Sequence, residues 1–133
     1  MSTLVPYLIF SGTCKEAMEF YRDALDGEIL FMHTFGESPI PVDEEAQHRI
    51  FNSELRAGNI RIKASDDMPG HRVTTGTNFS MFVSFSNAQA KAKVFSELSE
   101  GGKVLFPIED NFGMVEDKYG IRWMLEHGEQ FAS

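Results

Sequence analysis

The chain is short of cysteine, of long apolar runs and of positive charge. Its one cysteine in 133 residues, Cys14, excludes an intrachain disulfide and a thiolate cluster for zinc. No run approaches the roughly 18–20 apolar residues that span a bilayer. The opening Met1-Ser2-Thr3-Leu4-Val5-Pro6 lacks the basic and apolar regions of a signal peptide, so the expected compartment is the cytoplasm. Twelve Lys and Arg stand against twenty Asp and Glu, a formal net charge of −8. Phosphates and anionic lipids are bound by concentrated Lys and Arg, so neither nucleic acid nor a membrane is an expected partner. What is present suits one folded domain over residues 1–133: 42% of residues are hydrophobic and 24% charged. Twelve phenylalanines imply an aromatic core or an aromatic pocket.

Two punctuated halves follow. In the first, the apolar run Val5 to Phe10 predicts a strand that breaks at Ser11-Gly12. Thr13-Cys14-Lys15-Glu16 then has the spacing of a capping box. Ala17, Phe20, Tyr21, Ala24 and Leu25 form one apolar helix stripe, which Asp26-Gly27 ends. Strands are expected over Glu28–Phe35, His48–Arg56 and Ile60–Ser65, the last two joined by Ala57-Gly58-Asn59. Between the first two lies a long loop, 36–47, with Pro39, Pro41 and the acidic run Asp43-Glu44-Glu45. It reads as a solvated loop, although its length would allow a lid.

The second half repeats the order. Asn78 to Phe85 predicts a strand. Ser86-Asn87 caps a helix that runs to Ser99 with Ala88, Ala92, Phe95 and Leu98 on one side. Strands are expected over Lys103–Phe106, Asn111–Glu116 and Ile121–Glu126. The pairs Phe10/Phe85, Ala17/Ala92, Phe20/Phe95, Gly27/Gly102 and Leu30/Leu105 all share the spacing of 75, and such a run of matches points to duplication. The expected architecture is α+β, two βαβββ modules over 1–66 and 78–127 joined by a linker 67–77. In each, one sheet face is covered by the helix and the other is left over. Two such faces side by side would make a cup for a small molecule.

Strand alternation assigns side chains to the two faces. Leu8, Phe10, Val83, Phe85, Ile60, Ile62, Ile121 and Trp123 fall on the helix side. Tyr7, Ile9, Ser80, Phe82, Ser84, Arg61, Lys63, Arg122 and Met124 fall on the other. A register slip of one residue would invert every assignment.

The duplicated pattern, with Phe20-Tyr21 late in the first helix and Asp117-x-x-Gly120 before the last strand, resembles the vicinal oxygen chelate superfamily, which includes glyoxalase I, extradiol dioxygenases and bleomycin- and fosfomycin-resistance proteins. Pro6-Tyr7-Leu8-x-Phe10-x-Gly12, Glu16-Ala17, Gly27-Glu28, Ala64-Ser65-Asp66-x-x-Pro69-Gly70, Gly101-Gly102-x-Val104 and Asp117-Lys118-Tyr119-Gly120-x-x-Trp123 resemble its PhnB-like branch. The resemblance covers essentially the whole chain. It implies a cup-shaped mixed sheet and a homodimer. In the superfamily a divalent metal is held by His or Glu on the first and last strands of each module. The matching positions here are Tyr7 (or Pro6), Lys63, Ser80 and Met124, none a good ligand for such an ion. His33, His48, His71 and His127 fall elsewhere. No metal and no cofactor are therefore expected. Some PhnB-like members carry the description 3-demethylubiquinone 3-methyltransferase, yet no glycine-rich strand-to-helix loop for S-adenosylmethionine is visible.

The leading expectation is a metal-independent protein binding a small, anionic or polar molecule through Tyr7, Arg61, Lys63, Ser80, Phe82, Phe112, Arg122 and Met124. Arg61, Lys63 and Arg122 either receive an anion or simply pair with Glu54, Glu116 or Asp117. Of Phe31, Phe35, Phe51, Phe82, Phe106 and Phe112, most are expected in the core, with Phe82 and Phe112 at the cavity. His33 is weighed as a general base and as a structural residue. Cys14 is weighed as an activated thiol and as a small residue in the first helical turn. Two alternatives remain: a glyoxalase-type lyase or isomerase with metal ligands such as Glu126 or His33, and a resistance protein that sequesters an antibiotic.

Overall fold

The computed structural model describes residues 1–109 and 111–128. Contacts divide the chain into two compact units, Met1–Thr74 and Thr75–Ser133. The first runs β1 (Tyr7–Phe10), α1 (Cys14–Leu25), β2 (Glu28–Thr34), β3 (Ile50–Ala57) and β4 (Ile60–Asp66). The second runs β5 (Met81–Phe85), α2 (Ala88–Ser99), β6 (Lys103–Glu109), β7 (Phe112–Glu116) and β8 (Arg122–His127). Strand order repeats as well: β1-β4-β3-β2 in one sheet and β5-β8-β7-β6 in the other. In each, the first pair is parallel and the rest antiparallel. The fold is α+β, two βαβββ units.

Several boundaries differ from the sequence expectation. β1 starts at Tyr7 because Pro6 has no N–H to give a ladder, though its carbonyl still accepts from Lys63 N at 3.0 Å. β3 starts at Ile50 because Arg49 N is turned back onto Ala46 O at 3.1 Å, closing a short 3₁₀ turn over Glu44–Ala46. The long loop is otherwise organised by a second 3₁₀ turn, Phe35–Glu37. There Glu37 Oε1 accepts from Thr34 N at 2.8 Å and Thr34 Oγ1 at 3.0 Å, which holds the Glu37 carboxyl below its ordinary range.

The capping box expected at Thr13–Glu16 does not form: Thr13 makes no side-chain cap. The α1 N-terminus is capped from the end of β4 instead. Asp66 Oδ1 accepts from Gly12 N and Cys14 N, each at 2.9 Å, and Asp66 Oδ2 accepts from Ile50 N at 2.9 Å. One buried carboxylate thus ties helix, first strand end and β3 together, supplying negative charge where the helix dipole favours it. In α2 the expected cap is present, with Asn87 Oδ1 accepting from Ala90 N at 2.8 Å.

The glycines after each helix act differently from expectation. Asp26, not Gly27, takes the left-handed conformation, at φ 54°, and Gly101 does so at its repeat position, φ 73°. Gly27 and Gly102 are needed for close approach, since a Cβ would lie 2.7 Å from Arg56 O and 2.3 Å from Glu116 O. In the 57–60 hairpin only Gly58 has positive φ, at 60°.

Helix phase also departs from the spacing of 75. α1 buries Cys14, Ala17, Met18, Tyr21 and Ala24, whereas α2 buries Lys91, Val94, Phe95 and Leu98. Ala88 and Ala92 are exposed. The buried faces correspond as Cys14/Lys91, Ala17/Val94, Met18/Phe95 and Tyr21/Leu98, so the helices match two residues out of step with the strands. Phe95 is drawn inward because Gly113 on β7 leaves room: a Cβ there would stand 2.8 Å from the ring.

Candidate functional site

The expected face assignments can be read directly from the alternation. Leu8, Phe10, Ile62, Met81, Val83, Trp123 and Leu125 are buried, and Tyr7, Ile9 and Phe82 are about half exposed on the faces away from the helices. Ser80 lies just ahead of β5, half-buried. Most of the strand phenylalanines are not core: among the six singled out, only Phe35 is buried, and Phe82 and Phe106 are more than half exposed.

Register gives each open face as rows of cross-strand neighbours, whose Cβ atoms stand about 5 Å apart. The middle row of the first sheet reads Tyr7, Lys63, Glu54, Phe31. Beside it Phe31 and His33 stack at 5.4 Å, with His33 exposed. The equivalent row of the second sheet reads Phe82, Met124, Met114, Phe106. One face is polar at its centre; the other is apolar.

Two of the three cations are already neutralised. Arg61 reaches Glu54 Oε2 through Nε at 2.8 Å and Nη2 at 2.7 Å. Arg122 donates from Nε to Glu116 Oε1 at 3.2 Å. Lys63 is half-buried and makes no ion pair among the described residues, because Arg61 has taken the neighbouring Glu54.

The Asp117-x-x-Gly120-x-x-Trp123 motif is a structural device. Asp117 Oδ1 accepts from Tyr119 N at 2.8 Å and Ile121 N at 3.1 Å, while Asp117 Oδ2 accepts from the fully buried Trp123 Nε1 at 2.8 Å. Gly120, at φ 87°, closes the turn. Cys14 is likewise structural. Burial pushes its thiol up to about 12, the contact with Ser53 Oγ at 3.8 Å opposing this and the Asp66 charge adding to it. The helix N-terminus therefore does not activate it.

The family described as 3-demethylubiquinone-9 3-methyltransferase matches this chain over residues 2–126. The chain belongs to that family. Solved structures share its fold. Protein PA1353 from Pseudomonas aeruginosa is 32% identical, at TM-score 0.87, covering 96% of this chain and 98% of its own. A PhnB protein from Bacillus cereus shares the fold at 23% identity and TM-score 0.80, over 96% and 100% of the two chains. The FosX fosfomycin resistance protein from Listeria monocytogenes shares the vicinal oxygen chelate fold at 10% identity and TM-score 0.68, over 97% and 93%.

Neither group implied by this kinship fits the side chains in place. A divalent cation wants carboxylate or imidazole, and the PhnB-like chain offers Tyr7, Lys63, Ser80 and Met124 at the matching positions. Glu126 and His33 sit in different sheets, and no group of three His, Cys, Asp or Glu is gathered among the described residues. A methyl donor of the S-adenosylmethionine kind wants a glycine-rich strand-to-helix turn. The two such turns here are Ser11-Gly12-Thr13 and Ser86-Asn87, with a single glycine between them. No described helix is long and apolar enough to cross a membrane.

Proposed function

We propose that this PhnB-like chain is a small-molecule-binding protein, working as a homodimer, that receives a carboxylate or phosphate group on the open face of its first sheet without a divalent metal. The observation that carries the reading is Lys63: half-buried, flanked by Tyr7, and left unpaired while Arg61 and Arg122 are both occupied by carboxylates. A partly desolvated ammonium whose neighbouring carboxylate, Glu54, is already held by Arg61 gains from an anion brought to it, as charge-assisted hydrogen bonds are about twice as strong as neutral ones. Tyr7 and the stacked Phe31–His33 pair supply flat surface on the same face.

The test is thermal stabilisation by a panel of small carboxylates and phosphates. Wild type is expected to respond, Arg61→Ala to respond less because it releases Glu54 to the neighbouring Lys63, and Lys63→Ala to lose the response with its own fold intact by circular dichroism. A response that survives Lys63→Ala overturns the reading. Stoichiometric metal in purified protein, or a monomer by light scattering, overturns its metal-free and dimeric parts respectively.

A further inference from the structure

The second sheet carries a feature that anion binding at Lys63 does not use. Glu126 on β8 is 1% exposed, on the face away from α2, with its cross-strand neighbours Ser84 and Phe112. Its Oε1 accepts from Ser84 Oγ. Its Oε2 has no hydrogen-bond partner among the described residues. A buried acceptor left without a donor costs about 1–3 kcal/mol, and more when charged. Such an atom is complementary to a donor that arrives from outside. Ser84, hydrogen-bonded to the other oxygen of the same carboxylate, is itself exposed.

The surroundings state what kind of donor. The adjoining row, Phe82, Met124, Met114 and Phe106, is apolar, with Phe82 54% and Phe106 58% exposed. Phe106 and Phe112 lie 6.3 Å apart and tilted, extending that surface toward Glu126. Glu109, the cross-strand neighbour of Phe112, adds a second carboxylate to the Glu126 row. On β8 of the same face, Arg122 is neutralised by Glu116, whose cross-strand neighbour on β6 is Lys103. The charge of the row is negative and its flank is flat and apolar.

We infer that the open face of the second sheet is a binding site for an aromatic molecule bearing an ammonium or similar cationic donor, the ring lying on Phe82, Met124 and Phe106 and the donor meeting Glu126 Oε2. Thioether and aromatic side chains both favour a ring, and the carboxylate sets its orientation. The site lies on the other sheet from Lys63 and takes the opposite charge.

The probe is tryptamine, with indole-3-propionate as the same ring carrying the opposite charge and ethylamine as the charge without the ring. Calorimetric titration of the full chain is expected to show saturable tryptamine binding, with both controls much weaker at this site. Glu126→Gln, isosteric and uncharged, should weaken tryptamine at least about tenfold, the worth of one charge-assisted hydrogen bond. Phe82→Ala should weaken it too, which keeps the test decisive if Glu126→Gln fails to fold. Lys63→Ala should leave tryptamine unchanged, so failure here and failure at Lys63 are told apart. Absence of saturable tryptamine binding, or equal binding by wild type and Glu126→Gln, overturns the assignment.

Discussion

Asp66 ties together distant parts of the first unit through one side chain. Its two oxygens take three backbone donors from three places in the first unit, two of them more than fifty residues away in sequence. Asp66→Ala strands those N–H groups and is expected to cost about 3 kcal/mol in denaturant unfolding, with Asp66→Asn, which keeps one acceptor oxygen, costing less. The local Thr13–Glu16 spacing looked like the cap, because a capping box is read from adjacent residues; a cap reaching from β4 has no local signal. Cys14 gives a second prediction. Its thiol is held neutral by burial, its value raised from 9.0 to about 12. The native state thus binds this proton more tightly than the unfolded chain does. The associated stability is whole below about pH 9 and is lost as pH rises toward the folded value, at about 1.4 kcal/mol per pH unit. The stability difference between wild type and Cys14→Ala should shift by that slope between about pH 9 and about pH 11, and the native thiol should resist alkylation at neutral pH.

Elements show why the duplication was legible and where it misleads. Alternation along β1, β4, β5 and β8 placed Tyr7, Lys63, Phe82, Arg122 and Met124 on the open faces, since period two leaves little ambiguity once one face is apolar. Helix phase was less legible. Ala92 and Phe95 were paired with Ala17 and Phe20 by spacing, yet α2 turns a different stripe inward, because a long lysine stem at Lys91 can be buried and the missing side chain at Gly113 makes space for Phe95. The pairing of Arg61 with Glu54 and of Arg122 with Glu116 was among the alternatives the residues left open, but which cation stayed unpaired depended on register. Gly27 and Gly102, by contrast, repeat in role as well as place. Gly102→Ala would put a Cβ 2.3 Å from Glu116 O, so the helix-to-β6 connection must shift away from β7. A loss of about 3 kcal/mol in denaturant unfolding is expected, against well under 1 kcal/mol for an alanine at Gly76, which meets nothing closer than 3.5 Å.

For the molecule as a whole, net charge and local charge oppose each other at the anion site and reinforce each other at the cation site. The chain carries −8, so at low ionic strength its long-range field repels a carboxylate approaching Lys63. Salt shortens the reach of that field to about 8 Å at 0.15 M, whereas contact between a half-buried ammonium and its anion is screened much less. Raising ionic strength from about 0.01 M to about 0.15 M should therefore hold or strengthen the affinity of small carboxylates for Lys63. The same change should weaken a cationic ligand drawn toward Glu126, because salt there removes attraction. Titrations at the two ionic strengths read this as slopes of opposite sign. A carboxylate affinity that falls steeply with salt would show that nearby cations, not one unpaired lysine in an acidic protein, supply the binding.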